Sequence, residues 1–448
     1  MVSDTEPSPV RSEAAPPAVA AEAELSSGRL AWITFVMASV AFLAAVDRNV
    51  LNILLDPIKT SLGATDTEMG FLTGLAFTLV LVTVGIPVAR LADRTNRRNL
   101  LAIAVAFWSV MTAVSGLAGS YIQLLLARFG VAAGESAHQP TSLSMVGDFF
   151  PAAKRGARIG FIVVGSTAGY AVGSIAAGVL NDMYDWHVAM LGVGAPGLLV
   201  AALIYLTISE PKRGAQDGGI DRTPVSMSGA LRRMGRIRSW PALLAGLVFL
   251  NVGFTGFLAW NTTLFTRVHH MSTAQASVVS AVFFGLGPVI ANASAGFLSD
   301  RLARRGARWR MYLASAMAAL SAPFLAIGIL SPDTAYAIAF MGLYTILSGG
   351  LTTVYQAASL SITPPNIRAT VFSINYFVVG IMGGLGAVIV GRLNDTVFKA
   401  EGKEALHHSM LVLPAGMALC ALMFLIASRQ MDHDVAQLSA GSEPAAGG

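Results

Sequence analysis

The sequence predicts an all-α membrane protein in which twelve transmembrane helices form two bundles of six. Three observations lead to this fold class: the composition, the spacing of the apolar segments, and a basic loop that occurs twice. Hydrophobic residues make up 54% of the chain and charged residues only 12%, whereas soluble domains carry roughly 25% charged residues. Such a chain cannot cover a water-facing surface, so lipid must surround most of it.

Apolar segments long enough to cross a bilayer, which takes about 20 residues each, recur along the chain. The twelve segments are centred near Ala41, Leu79, Ala106, Ala133, Gly169, Leu198, Phe254, Gly285, Ala319, Thr345, Val379 and Ala418. Six lie on each side of a polar stretch at 209–240, which we expect to link an N-terminal half (29–208) to a C-terminal half (241–430). The flanking tails, 1–28 and 431–448, are rich in small and polar residues, and we expect them to be disordered.

A basic loop occurs twice, as LADRTNRRN at 91–99 and as LSDRLARRG 207 positions later. A second match is independent of the first, because the triplet Leu-Asn-Asp occurs at 180–182 and again at 393–395, an offset of 213. Two matches at nearly one offset indicate a duplicated six-helix unit. Parallel repeats of this kind are a recurring design of membrane carriers.

The Lys and Arg residues are concentrated in alternate loops. Loops after even-numbered segments, with the linker included, carry twenty of them, and the opposite loops carry five. Because short loops rich in Lys and Arg stay in the cytoplasm, we expect both termini to be cytoplasmic in a multi-pass protein of the plasma (inner) membrane. The same distribution accounts for the net charge of +5 without nucleic acid as a partner.

Several classes of function lack their motifs in this sequence. It has no Gly-x4-Gly-Lys loop of a nucleotide-driven pump and no Cys and His cluster with metal-ligand spacing, so we expect no cofactor, no metal and no enzyme activity. The single cysteine, Cys420, excludes an internal disulfide. The leading interpretation is a monomeric secondary carrier whose partners are a small-molecule or lipid-like substrate, protons and membrane lipids. A membrane sensor without transport activity is the alternative from another class.

The twelve spans, the long central linker and the doubled G-x-L-x-D-R-x-x-R-R loop resemble the major facilitator superfamily. The copy that begins at Gly296 fits this motif fully, whereas the first copy has Ala89 and Asn96 where glycines are usual. The resemblance implies a carrier that works by alternating access, in which two six-helix bundles expose a central site to one side of the membrane at a time.

Within that superfamily, the Asp-Arg-x-Asn-Arg form of the first loop resembles the spinster branch. Val46-Asp47-Arg48, Asp66-Thr-Glu-Met-Gly70, and the stretch from Ala127-Arg128 to Gly134-Glu135 resemble the same branch. This resemblance implies a proton-linked carrier whose animal relatives move lysolipids and sphingoid phosphates. The hexuronate and organic-anion branch shares several of these features, so an organic-anion or sugar-acid proton symporter is the alternative.

Four charged side chains fall inside predicted spans, where an unpaired charge costs at least about 2.5–3.5 kcal/mol. Asp47 and Arg48 lie late in the first span, and Arg128 and Glu135 lie seven positions apart on one face of the fourth. The first span runs outward and the fourth inward, so Asp47 and Arg128 reach the same depth and could pair. An ion-pair lattice that holds the two helices together is the structural interpretation of these residues.

The functional interpretation, which we prefer, is a proton switch. If a conformational change alters the approach of Arg128 to the carboxylates, their proton affinity differs between the two states, and this couples protons to transport. We predict that Glu135 is the main titrating group, that Asp47 is the second, and that Arg128 is the counter-charge.

The predicted substrate contacts follow from an asymmetry between the halves. All the charge inside the spans lies in the N-terminal half, whereas the C-terminal half offers amides, hydroxyls and rings. This favours an amphipathic substrate with its charged head near the arginines. The candidate contacts are Arg48, Arg128, His138, Thr73, Asn251, Asn261, Tyr355, Asn375 and Tyr376.

The doubled loops predict a conformational latch rather than a substrate site. In the facilitator fold, Asp93 would lie at a helix end where Arg155 or Arg158 of a neighbouring helix can pair with it, and we expect such a pair only in the outward-facing packing. Topology control by basic charge alone is the alternative. The predicted latch residues are Asp93, Arg94, Arg97, Arg155, Arg158, Asp300 and Arg301.

Overall fold

A computed structural model describes residues 26–213, 227–364 and 367–440, which form helices and short connections. The membrane crossings of the N-terminal half are α1 (Ser27–Ile53), α2 (Asp66–Gly70, a π-helical turn at Phe71–Ala76, and Phe77–Arg94), α3 (Arg97–Ser115), α4 (Tyr121–Glu135 and His138–Phe149), α5 (Ala152–Met183) and α6 (Trp186–Thr207). A short helix, Leu55–Leu62, connects α1 to α2.

The C-terminal half repeats this organisation. Its crossings are α7 (Trp240–Arg267), α8 (Thr273–Ala281, a π-helical turn at Val282–Leu286, and Gly287–Ala303), α9 (Arg308–Leu330), α10 (Thr334–Ile362), α11 (Arg368–Thr396) and α12 (Ala405–Met410 and Val412–Ala440). A linker helix at Met227–Met234 precedes α7, and a 3-10 turn at Lys399–Glu404 precedes α12. The π-helical turns of α2 and α8 are thus matched features of the two halves.

Eleven helices of the described ranges are individually long and apolar enough to cross a membrane. The twelfth predicted crossing, α4, is divided into two shorter pieces at Ser136 and Ala137. Pro140 accounts for the division, because it has no N–H to donate to the carbonyl of Ser136, four residues earlier. Ser136 and Ala137 keep helical backbone angles, so the two pieces together still form one crossing.

Side-chain caps begin many of these helices. Thr65 and Ser272 each accept a hydrogen bond from a backbone N–H three residues later, and Glu68 and Gln275 complete the two capping boxes. These two caps occupy equivalent positions at the starts of α2 and α8. The other side-chain N-caps are Ser26, Asn96, Ser120, Asp185 and Asp333.

Helix packing follows the duplication. In the N-terminal half α1 packs on α5 and α3 on α6, and the C-terminal half repeats these contacts as α7 on α11 and α9 on α12. Glycines allow close approach within a half: a Cβ at Gly169 of α5 would lie 2.3 Å from the carbonyl oxygen of Phe42 in α1. We call the side of the bundle where α1 begins and the linker lies the linker side, and the opposite side the far side.

The boundaries of the two predicted tails each need a correction. The structure begins α1 at Ser27, inside the predicted N-terminal tail, whereas the rest of that tail lies outside the described residues. The predicted C-terminal tail was wrong over residues 431–440, which continue α12. Asp434 there accepts a hydrogen bond from the N–H of the linker residue Ser239 at 2.8 Å, and Asp432 pairs with Arg308 of the C-terminal half at 3.1 Å.

Candidate functional site

A cavity of about 330 Å³ lies between the two halves. The N-terminal half contributes Arg48, Leu51, Asn52, Leu72, Thr73, Phe77, Thr78, Leu81, Val82, Arg128 and Tyr170 to its wall, and the C-terminal half contributes Asn251, Phe254, Thr255, Leu258, Tyr376, Val379 and Gly380. Both cationic side chains of this wall belong to the N-terminal half, and the polar groups of the opposite wall are neutral. The cavity therefore has the asymmetry that the sequence predicts.

The cavity opens toward the linker side, because the close contacts between the described parts of the halves lie on the far side and near the middle of the helices. A Cβ on Gly74 of α2 would lie 2.3 Å from the carbonyl oxygen of Gly384 in α11, and a Cβ on Gly285 of α8 would lie 2.8 Å from Ala171 of α5. By contrast, the linker-side part of α2, Phe77–Arg94, buries only Ala92. A solute would thus reach the cavity from the linker side.

The four predicted charges meet at the N-terminal wall. Nε of Arg48 donates to Oε2 of Glu135 at 2.6 Å, and Nη2 of Arg128 donates to the backbone carbonyl of Asp47 at 3.0 Å. Asp47, Arg128 and Glu135 are each at most 3% exposed. The depth argument was therefore sound, but the direct side-chain partner of Glu135 is Arg48, and the contact of Arg128 to Asp47 is to the main chain.

Several polar atoms of this cluster have no hydrogen-bond partner among the residues that the structure describes. They are Oδ1 of Asp47, Oε1 of Glu135, and Nε and Nη1 of Arg128. The Thr112 hydroxyl and the Trp108 indole face the Asp47 carboxylate. Buried polar groups without partners are costly to leave unpaired, so a proton on a carboxylate oxygen, or an anion that reached the Arg128 guanidinium, would offset that cost.

An aromatic ring separates the two arginines. The Phe77 ring centroid lies 5.9 Å from Cζ of Arg48 and 5.7 Å from Cζ of Arg128. Phe77 follows the π-helical turn of α2, and π-helical turns are frequent at functional sites because they reorient side chains. Thr73, within that turn, lines the cavity and donates its hydroxyl to the carbonyl of Met69 at 3.0 Å.

Five of the predicted substrate contacts line the cavity, namely Arg48, Arg128, Thr73, Asn251 and Tyr376. The other four lie elsewhere in the packing. Asn261 donates to the carbonyls of Phe257 and Leu258 and accepts from Ser280, and Asn375 donates to the Tyr355 hydroxyl at 2.8 Å. His138 bonds Ser142 at 3.2 Å, and its ring packs against Trp108.

Other cavity residues escaped the sequence argument. Phe77, Tyr170, Phe254 and Thr255 line the cavity, yet nothing distinguishes them in the sequence from the many aromatic and hydroxyl residues that face lipid or another helix. Whether such a residue faces the cavity depends on how its helix is rotated about its own axis.

The far side is closed by charged groups that the sequence argument also missed. Arg267, at the end of α7, donates to both oxygens of Asp66 in α2 at 3.0 and 2.9 Å, and its Nε donates to Asp56 at 2.7 Å. Lys59 pairs with Asp66 at 2.8 Å. The Arg267 pairs join the C-terminal half to the N-terminal half, whereas Lys59 and Asp66 both belong to the N-terminal half, and Asp66 is only 2% exposed.

On the linker side, the two copies of the doubled loop differ. In the first copy, Arg97 is buried and bonds Asp148 at 2.5 Å and Glu210 at 2.8 Å. In the second copy, Asp300 pairs with Arg310 at 3.3 Å. The exposed end of the first loop holds Asp93 and Arg94, and the exposed end of the second holds Asp300 and Arg301.

The predicted partners of Asp93 lie elsewhere in this state. Arg155 donates to the carbonyls of Phe150 at 2.9 Å and Gly147 at 2.6 Å, and the guanidinium of Arg158 lies over the Phe150 ring at 5.3 Å. The backbone carbonyl of Asp93 accepts from the linker residue Arg213. The latch was expected only in the opposite conformation, so its pairing stays a prediction.

Known proteins share this architecture. The model of the Major Facilitator Superfamily matches residues 37–387. The chain is 28% identical over 414 residues to an MFS-type efflux pump of Mycolicibacterium smegmatis, covering 91% of this chain and 95% of the pump. It is 23% identical over 415 residues to a probable L-galactonate transporter of Escherichia coli, covering 88% of this chain and 89% of that protein.

A solved structure is similar over nearly the whole chain. It is a bacterial homologue of the human lysosomal transporter spinster, in an inward-facing and unoccupied conformation. The TM-score is 0.85 with 25% sequence identity, and the match covers 92% of this chain and 99% of that one. The chain therefore belongs to the Major Facilitator Superfamily and is a spinster-like, multi-pass secondary transporter of a small molecule.

Proposed function

We propose that this transporter couples the movement of an anionic or amphipathic small molecule, of lysolipid or sphingoid type, to protons by alternating access. The observation that carries the proposal is the Arg48–Glu135 pair (2.6 Å), which lies beside Asp47 and Arg128 at the wall of the cavity between the halves. We further propose that the linker side is cytoplasmic, because most loop Lys and Arg residues lie there. The state described above would then be open to the cytoplasm.

The charge balance of the cluster supports coupling to protons. Arg48 and Arg128 balance Asp47 and Glu135, so the cluster sums to zero when all four are ionised. An anionic group that binds Arg128 adds a negative charge in a buried place, where uncompensated charge is costly. Protonation of Asp47 or Glu135 offsets that charge, and this linkage favours movement of an anion together with a proton.

The shape and polarity of the cavity support an amphipathic substrate. Its charged head would contact Arg128 and Arg48, the two cationic side chains of the cavity wall. Its apolar body would lie against Phe254, Leu258 and Val379 of the opposite wall. A volume of about 330 Å³ falls at the lower end of the range usual for small-molecule sites, roughly 300–1,000 Å³. The opening toward the linker side leaves room for a longer chain.

An organic-anion or sugar-acid proton symporter is the second candidate. The similarity to the probable L-galactonate transporter favours it, as do the polar groups of Thr73, Asn251 and Thr255, which could bond hydroxyl groups of a sugar acid. Both candidates share the anionic head group near Arg128, and they differ in what lies against the C-terminal wall. A membrane sensor without transport would bind a ligand and exchange none.

We also propose that Asp93 forms part of a cytoplasmic latch with Arg155 or Arg158 when the cavity opens to the outside. Asp93 is exposed and makes no side-chain ion pair with any residue of the described ranges. Closure of the linker side would bring the ends of α2, α4 and α5 into new positions, where an ion pair between these loops could favour the outward-facing state.

Exchange in proteoliposomes tests the proposed function. Purified protein would be reconstituted with an unlabelled lysolipid or an unlabelled hexonate inside, and uptake of the labelled compound would be measured with and without a pH gradient. Exchange of the lysolipid, accelerated by the gradient, is the expected result. Exchange of the hexonate alone would favour the symporter of sugar acids, exchange that ignores the gradient would contradict proton coupling, and absence of exchange with both would favour the sensor.

A further inference from the structure

The repeated Leu-Asn-Asp triplet lies at the far side, where the ends of α5 and α11 meet helices of the other half. The sequence repeat extends to five residues, Gly-x-Leu-Asn-Asp, at 178–182 and at 391–395. In the first copy, Asp182 accepts a hydrogen bond from the backbone N–H of Ala274 in α8 at 2.9 Å. Asn181 donates to the Thr273 hydroxyl at 3.2 Å.

The second copy makes the reciprocal contact. Asp395 of α11 accepts from the backbone N–H groups of Asp66 at 3.2 Å and Thr67 at 2.7 Å, and from the Thr67 hydroxyl at 2.6 Å. Asn394 donates to the Asp66 carboxylate. Each half therefore supplies one aspartate to the start of a helix in the other half.

These bonds satisfy helix donors that the local caps leave free. The first N–H groups of a helix have no partner within the helix. Thr65 and Ser272 cap the N–H groups of Glu68 and Gln275, at the third position of each helix. The N–H groups at the first two positions of α2 and α8 are not bound by these caps. Asp395 binds both of them in α2, and Asp182 binds the second one in α8.

The glycine of each copy brings the backbones together. A Cβ at Gly391 would lie 2.2 Å from the carbonyl oxygen of Asp66, and a Cβ at Gly178 would lie 2.3 Å from Oγ of Ser277. Each glycine lies one helical turn before its aspartate and faces the same partner helix. The five-residue repeat thus combines close approach with a cap supplied from the other half.

We propose that the two Gly-x-Leu-Asn-Asp copies are reciprocal clasps that hold the far side closed, and that Asp182 and Asp395 set how readily the transporter opens to that side. This inference rests on the proposed alternating access, because a clasp has a function only if the far side also opens. It identifies two residues that control the transport cycle without touching the substrate.

The two clasps differ in strength. At the first helical position of α2, the α11–α2 clasp has Asp66, whose carboxylate accepts a hydrogen bond from Asn394 of α11. The equivalent first position of α8 in the α5–α8 clasp is Thr273, a neutral residue. Charge-assisted bonds are roughly twice as strong as neutral ones, so the α11–α2 clasp contributes more to closure.

Labelling of a single cysteine tests the clasps without any substrate. The reporter is Ser277→Cys in a Cys420→Ala background, because Ser277 is fully buried in the closed α5–α8 interface. A membrane-impermeant maleimide is applied from the far side to intact cells that express Asp395→Ala or Asp182→Ala. Asp185→Ala and Asp333→Ala are matched controls, because these aspartates cap far-side helices within their own halves.

We expect Asp395→Ala to speed labelling by about tenfold, which corresponds to about 1.4 kcal/mol and lies within the range for loss of a helix cap. Asp182→Ala should give about threefold, since Asp182 accepts from one backbone N–H where Asp395 accepts from two. The controls should leave the rate unchanged. Because the reporter lies in the other clasp, faster labelling in Asp395→Ala reports global opening rather than local fraying.

Labelling of Asp395→Ala no faster than that of Asp185→Ala would overturn the proposal. If Asp395→Ala does not reach the membrane, Asp395→Asn replaces it, and we expect an intermediate rate because an amide oxygen can still cap. A disulfide between Asp182→Cys and Ala274→Cys should abolish labelling at position 277 while it stays oxidised. If every variant is labelled slowly but exchange in proteoliposomes is active, the clasps alone are rejected. If the labelling follows the expected pattern but exchange is absent, only the transport proposal is rejected.

Discussion

The two halves share one packing pattern but present different chemistry to the cavity between them. The N-terminal wall holds Arg48 and Arg128 with two buried carboxylates behind them, whereas the C-terminal wall presents Asn251, Thr255 and Tyr376. A buried charge is tolerated only where partners or water compensate it. Duplication therefore accounts for the helices and their contacts, and the function depends on the positions where the copies differ.

The far side reverses this distribution. There the C-terminal half supplies Arg267, and the N-terminal half supplies the carboxylates of Asp56 and Asp66. The charges of the far side bind the halves to each other, while those of the cavity pair within one half. Pairs that cross the interface bias conformation, whereas the two arginines of the cavity wall lie where a substrate can reach them.

Glu135 should give the largest effect in tests of this comparison. Replacement by Gln removes both the titrating carboxylate and the ion pair with Arg48, so we expect proton-driven uptake to be abolished while exchange of substrate continues in part. Uptake driven by a pH gradient and counterflow without a gradient measure the two activities separately. Glu68→Gln is the matched control, because Gln also serves in a capping box.

Gradient-driven uptake at the normal rate in Glu135→Gln would exclude Glu135 as the main coupling group. If Asp47→Asn then abolished the same activity, the N-terminal wall would still carry the coupling, through the second carboxylate. If both variants were driven normally, the two carboxylates behind this wall would serve packing alone.

Arg128 should give the second largest effect. Its replacement by Gln removes a buried partner of an anionic group, and such losses cost about 2 kcal/mol or more, which is about thirtyfold in affinity. Binding of an anionic lysolipid to the purified protein should weaken by that factor, whereas a neutral analogue with the same chain should bind as before. Equal weakening of both ligands would show that Arg128 shapes the cavity rather than recognising charge.

A pair of asparagines on α7 tests the C-terminal wall. Asn251 lines the cavity, and Asn261 is buried and bonds its own helix and Ser280. Loss of one hydrogen bond to substrate costs about 1 kcal/mol, so Asn251→Ala should raise the KM about fivefold. Asn261→Ala should lower the Tm and leave the KM unchanged. The reverse pattern would mean that the substrate binds nearer the far side than the cavity does.

The sequence was a good guide to the depth of a residue along its membrane span, and a poor guide to the direction in which its side chain points. Counting residues along two antiparallel spans placed Asp47 and Arg128 at one level, and the structure brings them into contact. The same reasoning could not separate Asn251 from Asn261 or Tyr376 from Tyr355, because all lie in apolar helices whose rotation depends on their neighbours. In a soluble helix an apolar stripe reveals the rotation, but lipid and protein core are both apolar here.

The repeat itself was informative beyond its first use. The Leu-Asn-Asp triplets indicated duplication, yet each copy contacts a helix of the other half. A sequence carries no direct sign of which helix each copy contacts. The pairing of Arg48 with Glu135 was unpredictable for a similar reason, because adjacent residues 47 and 48 leave α1 in different directions. Contacts between helices, rather than the helices, required the structure.

The smallest expected effect compares the two copies of the doubled loop. Asp300 already pairs with Arg310 within its own half at 3.3 Å, at an exposed position where such pairs contribute little. Asp93 has no such partner among the described residues and is free to pair when the linker side closes. We therefore expect Asp93→Asn to slow transport about threefold, the effect of a surface ion pair worth up to about 1 kcal/mol, and Asp300→Asn to change the rate less than twofold.

Both rates would be normalised to the amount of inserted protein, because the neighbouring arginines also set topology. A normal rate in Asp93→Asn would reject the latch, and equal slowing in both variants would mean that the two loops serve closure alike, despite their different surroundings in the state open to the linker side.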